Sequence, residues 1–205
     1  MIRGLKICGV SDPKTLNYIL NHNHKPTMIG FITNYEKSKR FIKLEKLKDL
    51  INVDKKQVNF VSVLVNPDDL ILEKIKDLNF DYYQLYDVNP LRTKEIKSKF
   101  KKKIITALTI SSKNDVIKYK CYTEISDIIL FDSTGYHKSE SFDHSLLDDV
   151  PSDLSKMIAG NIQINDIPNF KNKEFIVDLS GALEDQYGKK DINKIDKLLN
   201  LFKKI

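Results

Sequence analysis

Eight short apolar, β-branched runs recur about every 25 residues along this chain, and that rhythm restricts the possible folds more than any other feature of it. The runs are LKICGV (5–10), TMIGFI (27–32), VNFVSVLV (58–65), FDYYQLY (80–86), KIITALTI (103–110), DIILFDS (127–133), SKMIAG (155–160) and EFIVDLS (174–180). Amphipathic helical patterns separate most of them. PKTLNYILNH (13–22) has Asp12 as a cap and Pro13 inside its first turn. PDDLILEKIKDL (67–78) sets Leu70, Ile71, Lys74, Ile75 and Leu78 at helical spacing. NPLRTKEIKSKF (89–100) repeats the form, and DINKIDKLLNLF (191–202) carries a stripe of Ile192, Ile195, Leu198, Leu199 and Phe202 behind Asp191. The helix after the fifth run is weak, and only a short turn fits before MIAG.

Strict alternation of strand and helix implies a parallel sheet, because parallel neighbours need long crossovers. Eight such units fit a closed (β/α)8 barrel, here one domain over residues 1–205. An open doubly wound sheet would place a glycine-rich phosphate loop after its first strand, and CGVSDP is not one. No linker, low-complexity segment or second domain interrupts the pattern.

Composition narrows the function classes. Hydrophobic residues make up 41% and charged residues 30%, which suits a soluble globular chain. Arg3, Lys6 and Gly9 spoil the opening as a signal or span, and no later apolar run reaches about 18 residues. Two widely separated cysteines, Cys8 and Cys121, are expected as reduced thiols in a cytoplasm, Cys121 as packing. The net charge of +6 comes from scattered lysine, since only Arg3, Arg40 and Arg92 are arginines. The densest run, KSKFKKK (97–103), falls where a helix ends and complements its dipole. No nucleic-acid or membrane partner is therefore expected. His22, His24, His137 and His144 lack ligand spacing, so no metal is expected.

In a barrel, chemistry sits at the C-terminal strand ends. Those ends carry Cys8, the segment after Ile32, Asn66, Tyr86, Asp132, Gly160–Asn161 and Asp178–Ser180–Gly181. Taken singly, Cys8 reads as a small core residue and Asp132 as a loop cap. Together they are two ionisable groups facing one mouth. Alternation puts Tyr82 and Tyr86 on one face and Tyr83 on the other. We read Lys6 as pointing away from Cys8, which leaves Arg40 as the better source of positive potential there.

Seven segments then come in a telling order: KICG (6–9), SKRF (38–41), VLVNP (63–67), QLY (84–86), LFDS (130–133), AGN (159–161) and DLSGALEDQYGKKD (178–191). In order and spacing the chain resembles the phosphoribosylanthranilate isomerase family of tryptophan biosynthesis over essentially its whole length. The resemblance implies an Amadori rearrangement of the phosphorylated sugar N-(5-phosphoribosyl)anthranilate, without a cofactor, by a monomer or homodimer. By position, Asp132 would be the general acid and Cys8 the general base. Arg40 would grip the anthranilate carboxylate through its planar fork, and Tyr86 would stack on the ring. Asp178 would touch substrate or satisfy amides between strands eight and one. Gly160, Asn161, Ser180, Gly181 and Ala182 would cradle the phosphate. The thiol needs help to ionise, and the carboxyl needs burial or a nearby negative charge to stay protonated.

The departures from the family cluster at the ligand end. No glycine lies between Tyr136 and His144, and Asn161 replaces the second glycine of the usual pair. In DLSGA the glycine comes one place early, Tyr86 stands for a histidine, and Asp12 lies where a threonine–arginine pair is common. The expectation is the same ligand with a rebuilt phosphate grip, Lys138 supplying charge. The alternative is a drifted barrel that binds a phosphorylated sugar or a protein partner without turnover; retention of Cys8, Arg40, Asp132 and Asp178 weighs against it. A sister isomerase of histidine biosynthesis would want two carboxylates, and Cys8 counts against that.

Overall fold

The computed structural model describes residues 2–133 and 141–203. Lys138 and residues 136–140 of the glycine-poor stretch lie outside the described residues. Eight strands, β1 (Gly4–Cys8), β2 (Met28–Ile32), β3 (Asn59–Val65), β4 (Tyr82–Tyr86), β5 (Lys103–Ile110), β6 (Ile128–Ser133), β7 (Lys156–Ile158) and β8 (Phe175–Leu179), pair in chain order and close into a parallel barrel. Closure comes from β8 pairing with β1, in a register that sets Lys6 opposite Asp178. Each strand falls within the apolar run expected for it, except that β1 starts one residue early, at Gly4.

Helices α1 (Pro13–Asn21), α2 (Leu44–Ile51), α3 (Asp69–Ile75), α4 (Pro90–Phe100), α5 (Lys113–Ile117) and α6 (Ile192–Phe202) wrap the outside. Asp12 caps α1 by accepting from the Thr15 amide, and Asp191 caps α6 by accepting from Asn193 and Lys194. These caps satisfy amides that a helix start leaves without partners. The last turn of α4 carries Lys97 and Lys99, which pair with Asp127 and with Asp69 and Glu73. Lys97 and Lys99 thus form a solvated ion-paired face, while Lys102 bonds the Leu78 and Phe80 carbonyls. On the way to β6, five-residue α5 passes into a 3-10 turn, and the approaches to β7 and β8 carry 3-10 turns instead of α-helices. Among the described residues no helix is long and apolar enough to cross a membrane.

Three expectations are corrected. Helix α2 was not foreseen, although Leu47, Leu50 and Ile51 are buried on it at helical spacing. On α3 the buried residues are Leu72 and Ile75, while Leu70 is 71% exposed. Leu72 and Ile75 are three apart and share a face, which Leu70 does not. Cys121 is exposed in its 3-10 turn and packs nothing away.

Pleating divides the core into two layers. Leu5, Ile7, Phe31, Phe60, Tyr83, Phe131 and Val177 point outward and pack under the helices. Cys8, Met28, Val61, Tyr82, Leu130 and Ile176 point into the barrel. Phe31 meets Phe60 at 5.1 Å and Phe80 at 6.1 Å between ring centroids. Phe31→Ala should therefore destabilise the barrel by about 3–5 kcal/mol in urea titrations, whereas Leu70→Ala should change stability by less than about 0.5 kcal/mol.

Candidate active site

A cavity of about 420 Å³ opens at the C-terminal end of the barrel strands. Inward-facing positions near the strand ends line it: Cys8 from β1, Tyr86 from β4, Asp132 from β6 and Asp178 from β8. Arg40 reaches it from the loop after β2. Gly160 and Asn161 follow β7, and Ser180, Gly181 and Ala182 follow β8. All ten residues singled out from the sequence border this one cavity. Their roles are a separate matter, taken up below.

Asp132 is held from two sides. The Tyr86 hydroxyl donates to its Oδ2 at 2.7 Å, and the Ser133 amide donates to its Oδ1 at 2.8 Å. Gln84 Nε2 donates in turn to the Tyr86 oxygen at 3.2 Å. Burial raises the Asp132 carboxyl to about 6, with the negative charge of Asp178 adding to the rise and the Tyr86 hydrogen bond opposing it. Burial, then the charge of Asp132, pushes the Tyr86 phenol well above its ordinary range, so it stays a donor. Tyr82 and Tyr86 share the inner face and Tyr83 does not, as alternation requires.

The placement of Lys6 overturns our reading of it. Residues two apart in a strand share a face, so Lys6 points into the barrel beside Cys8. Its side chain is wholly buried, and Nζ donates to Asp178 Oδ2 at 2.6 Å. Burial disfavours the ammonium, but Asp178 and Cys8 outweigh it and raise the Lys6 pKa above its usual value. Burial raises the Cys8 thiol, while the Lys6 charge acts the other way. Asp178 therefore bonds a buried side chain and not the strand amides. Its Oδ1, also buried, has no hydrogen-bond partner among the described residues.

Arg40 is not free in the cavity. Glu184 takes its Nε on one oxygen and its Nη2, at 3.1 Å, on the other. Lys39 and Lys190 also contact Glu184, at 3.1 and 3.0 Å. Burial would raise the Glu184 carboxyl, but the Arg40 hydrogen bond and the Lys190 charge bring it down to about 2. Lys190 also donates to the Ser180 carbonyl at 2.9 Å, and the Ser180 hydroxyl donates to the Cys8 carbonyl at 3.0 Å. Sequence reasoning dismissed Lys6 and passed over Glu184 and Lys190. The signal for Lys6 was its spacing of two from Cys8; the other two lay inside DLSGALEDQYGKKD without a role.

At the loop after β7, Gly160 has φ +99°, and a Cβ there would lie 2.8 Å from the Ser133 backbone nitrogen. No other residue fits that position. Asn161 follows with φ +52°. Asparagine tolerates the left-handed region better than other side-chain-bearing residues, which explains how it stands there. The backbone N–H groups of Gly160, Asn161, Gly181 and Ala182 find no acceptor among the described residues.

The family model for N-(5'phosphoribosyl)anthranilate (PRA) isomerase matches residues 5–201. An N-(5'-phosphoribosyl)anthranilate isomerase of Zymomonas mobilis subsp. pomaceae is 31% identical over 206 residues, covering 95% of each chain. Another, from Agrobacterium fabrum, is 28% identical over 203 residues, covering 94% of this chain and 91% of that one. The crystal structure of the Thermotoga maritima phosphoribosyl anthranilate isomerase superposes with a TM-score of 0.86 over 100% of both chains at 24% identity. A phosphoribosyl anthranilate isomerase in complex with reduced 1-(o-carboxyphenylamino)-1-deoxyribulose 5-phosphate superposes at 0.83, also over 100% of both chains at 24% identity. With a closed eight-stranded barrel and a match along nearly all its length, the chain is a divergent member of the N-(5'-phosphoribosyl)anthranilate isomerase family.

Proposed function

We propose that this protein isomerises N-(5-phosphoribosyl)anthranilate to 1-(2-carboxyphenylamino)-1-deoxyribulose 5-phosphate in tryptophan biosynthesis, with Asp132 as general acid and Cys8 as general base. The observation that carries the reading is the shared cavity, with a carboxyl raised to about 6 and an inward-facing thiol both on its wall. Asp132 gives its proton to the ribose ring oxygen as the C1–O bond breaks, and the nitrogen lone pair forms the iminium. The iminium acidifies C2–H. The Cys8 thiolate takes that proton, and the C–H electron pair neutralises the iminium. The resulting enol moves its hydroxyl proton to C1 and becomes the ketone.

Binding follows from charge and shape. Arg40, aimed by Glu184, keeps donors for the anthranilate carboxylate, and Tyr86 offers a ring face to the aromatic ring while its hydroxyl holds Asp132. Asp178 keeps the buried Oδ1 as an acceptor for a sugar hydroxyl. The unpaired amides after β7 and β8 suit the phosphate oxygens, with Gly160, Asn161, Ser180, Gly181 and Ala182 as its cradle.

The reading is tested by complementing a bacterial tryptophan auxotroph that lacks this isomerase. Wild type should restore growth, and Cys8→Ala and Asp132→Asn should not. Failure of the wild type, with sugar-phosphate binding intact, would favour the drifted binding barrel instead. Asp132→Asn carries a second readout. A carboxyl whose folded pKa lies above its ordinary 3.8 takes up protons on folding, so its stabilising effect is present at low pH and lost as pH rises through about 6. Asp132→Asn should therefore raise the thermal midpoint at about pH 8, by an amount that shrinks as pH falls below about 6.

The pH profile of kcat follows from the same values. The productive form has Asp132 protonated and Cys8 ionised together, a minority species because the acid titrates below the base. Its population is flat between the two values, since gain of thiolate offsets loss of acid. Below about 6 only thiolate is lost, and above the thiol value only acid is lost, so kcat should fall on both sides. Tyr86→Phe removes a hydrogen bond that holds the Asp132 value down, so the lower limb should move to higher pH. A limb that stays in place in Tyr86→Phe would remove Asp132 as the acid.

A further inference from the structure

A base step through Cys8 asks sulfur to carry negative charge inside a barrel, and burial opposes that. Something nearby has to compensate. Lys6 is two residues earlier on the same inward face and is wholly buried. Gly30 lies opposite Cys8 in the β1–β2 register. A Cβ on Gly30 would sit 2.9 Å from Cys8 Sγ and 3.1 Å from Lys6 Nζ, so ammonium and sulfur crowd one point of the barrel wall. The absence of a side chain at Gly30 is what leaves them room. An ammonium carries three hydrogens, and Asp178 Oδ2 takes one of them.

The other charged groups facing the sulfur come from several elements. Lys190, ahead of α6, and Arg40, after β2, add positive potential, but both are tied to Glu184. Asp178 from β8 opposes a thiolate, and the Tyr86 hydroxyl from β4 stays neutral. Asp132 from β6 acts on the Lys6 ammonium. Lys6 is the cation whose nitrogen shares with the sulfur the space over Gly30.

Resting on Cys8 as the base, we propose that Lys6 is its positioning residue: one ammonium is shared between the Cys8 sulfur and the Asp178 carboxylate and serves as counter-ion to the thiolate. In the base step the sulfur lone pair forms the S–H bond, the C2–H pair stays with the substrate, and the ammonium swings fully to Asp178. No proton leaves Lys6. Asp178 holds the cation in place and competes with the sulfur for it.

Two opposite charge changes test this in the full-length protein. The pH midpoint of Cys8 alkylation by iodoacetamide is followed by mass spectrometry, with the exposed Cys121 resolved as a separate peptide and folding checked by circular dichroism. Asp178→Asn removes the competitor and should lower the Cys8 midpoint by about one pH unit, the size expected of a close charge. Adding Lys6→Met to Asp178→Asn leaves no buried carboxylate without a partner and should raise the midpoint again by about as much or more. A midpoint that Asp178→Asn leaves unchanged or raises, or a double variant that titrates like Asp178→Asn alone, overturns the proposal. Turnover by Cys8→Ala tests the base assignment separately, and an active Cys8→Ala protein would end that assignment whatever the midpoints do.

Discussion

Closure of β8 against β1 sets which way every side chain in the barrel points, and the buried pair of Lys6 and Asp178 sits on that seam. Burying two charges costs several kcal/mol per ion before their attraction is counted, so such a pair is weak ground for stability. Apolar side chains of similar volume would serve the fold as well. The pair makes sense through what surrounds it, a thiol on one side and an open cavity on the other. It holds a buried ammonium beside the thiol at the floor of the site, where solvent cannot screen it.

A second ionic cluster works at the rim. Glu184 gathers Arg40, Lys39 and Lys190, and Lys190 ties that cluster to the Ser180 carbonyl beside the β1 end. Lys6, Arg40, Lys39 and Lys190 therefore each have a defined partner. A guanidinium held by a carboxylate keeps its fork in one orientation, which preorganises it for an incoming anion. Asp132 follows a different logic. Its neighbours are a phenol and an amide, and burial raises it instead of an ion pair lowering it. Two carboxylates, Asp132 in the cavity wall and Glu184 behind Arg40, are thus shifted in opposite directions because their surroundings differ.

Much of this was legible in the chain. Apolar periodicity and capping chemistry gave the eight runs and the caps at Asp12 and Asp191; most of the ten cavity residues could be named because strand ends in a parallel barrel converge on one face, and Arg40 through the family resemblance. The misreadings have physical causes. Helix α2 escaped because LEKLKDLI is short and lysine-rich, and its buried face shows only against the barrel. Leu70 was assigned to the stripe of Ile71, Ile75 and Leu78, which faces the core while Leu70 itself faces out, and Cys121 stands on a turn that packing leaves outside. Lys6 was misplaced by miscounting the pleat; a lysine was also an improbable inward residue until a carboxylate 172 positions later stood across from it.

Pattern along the chain was enough for the architecture: apolar runs at strand length, helical stripes between them, and polar residues where the strands end. The sequence placed Gly160 and Asn161 after the seventh strand, and the left-handed backbone at both is a finding of the structure. The pairings were decided in three dimensions. Whether Arg40 stands free or is held by Glu184, whether Asp178 bonds amides or a buried ammonium, and which groups surround the Cys8 sulfur all depend on residues far apart in sequence. Only the closed sheet brings them within hydrogen-bond reach, and only burial makes their charges large enough to set one another's protonation.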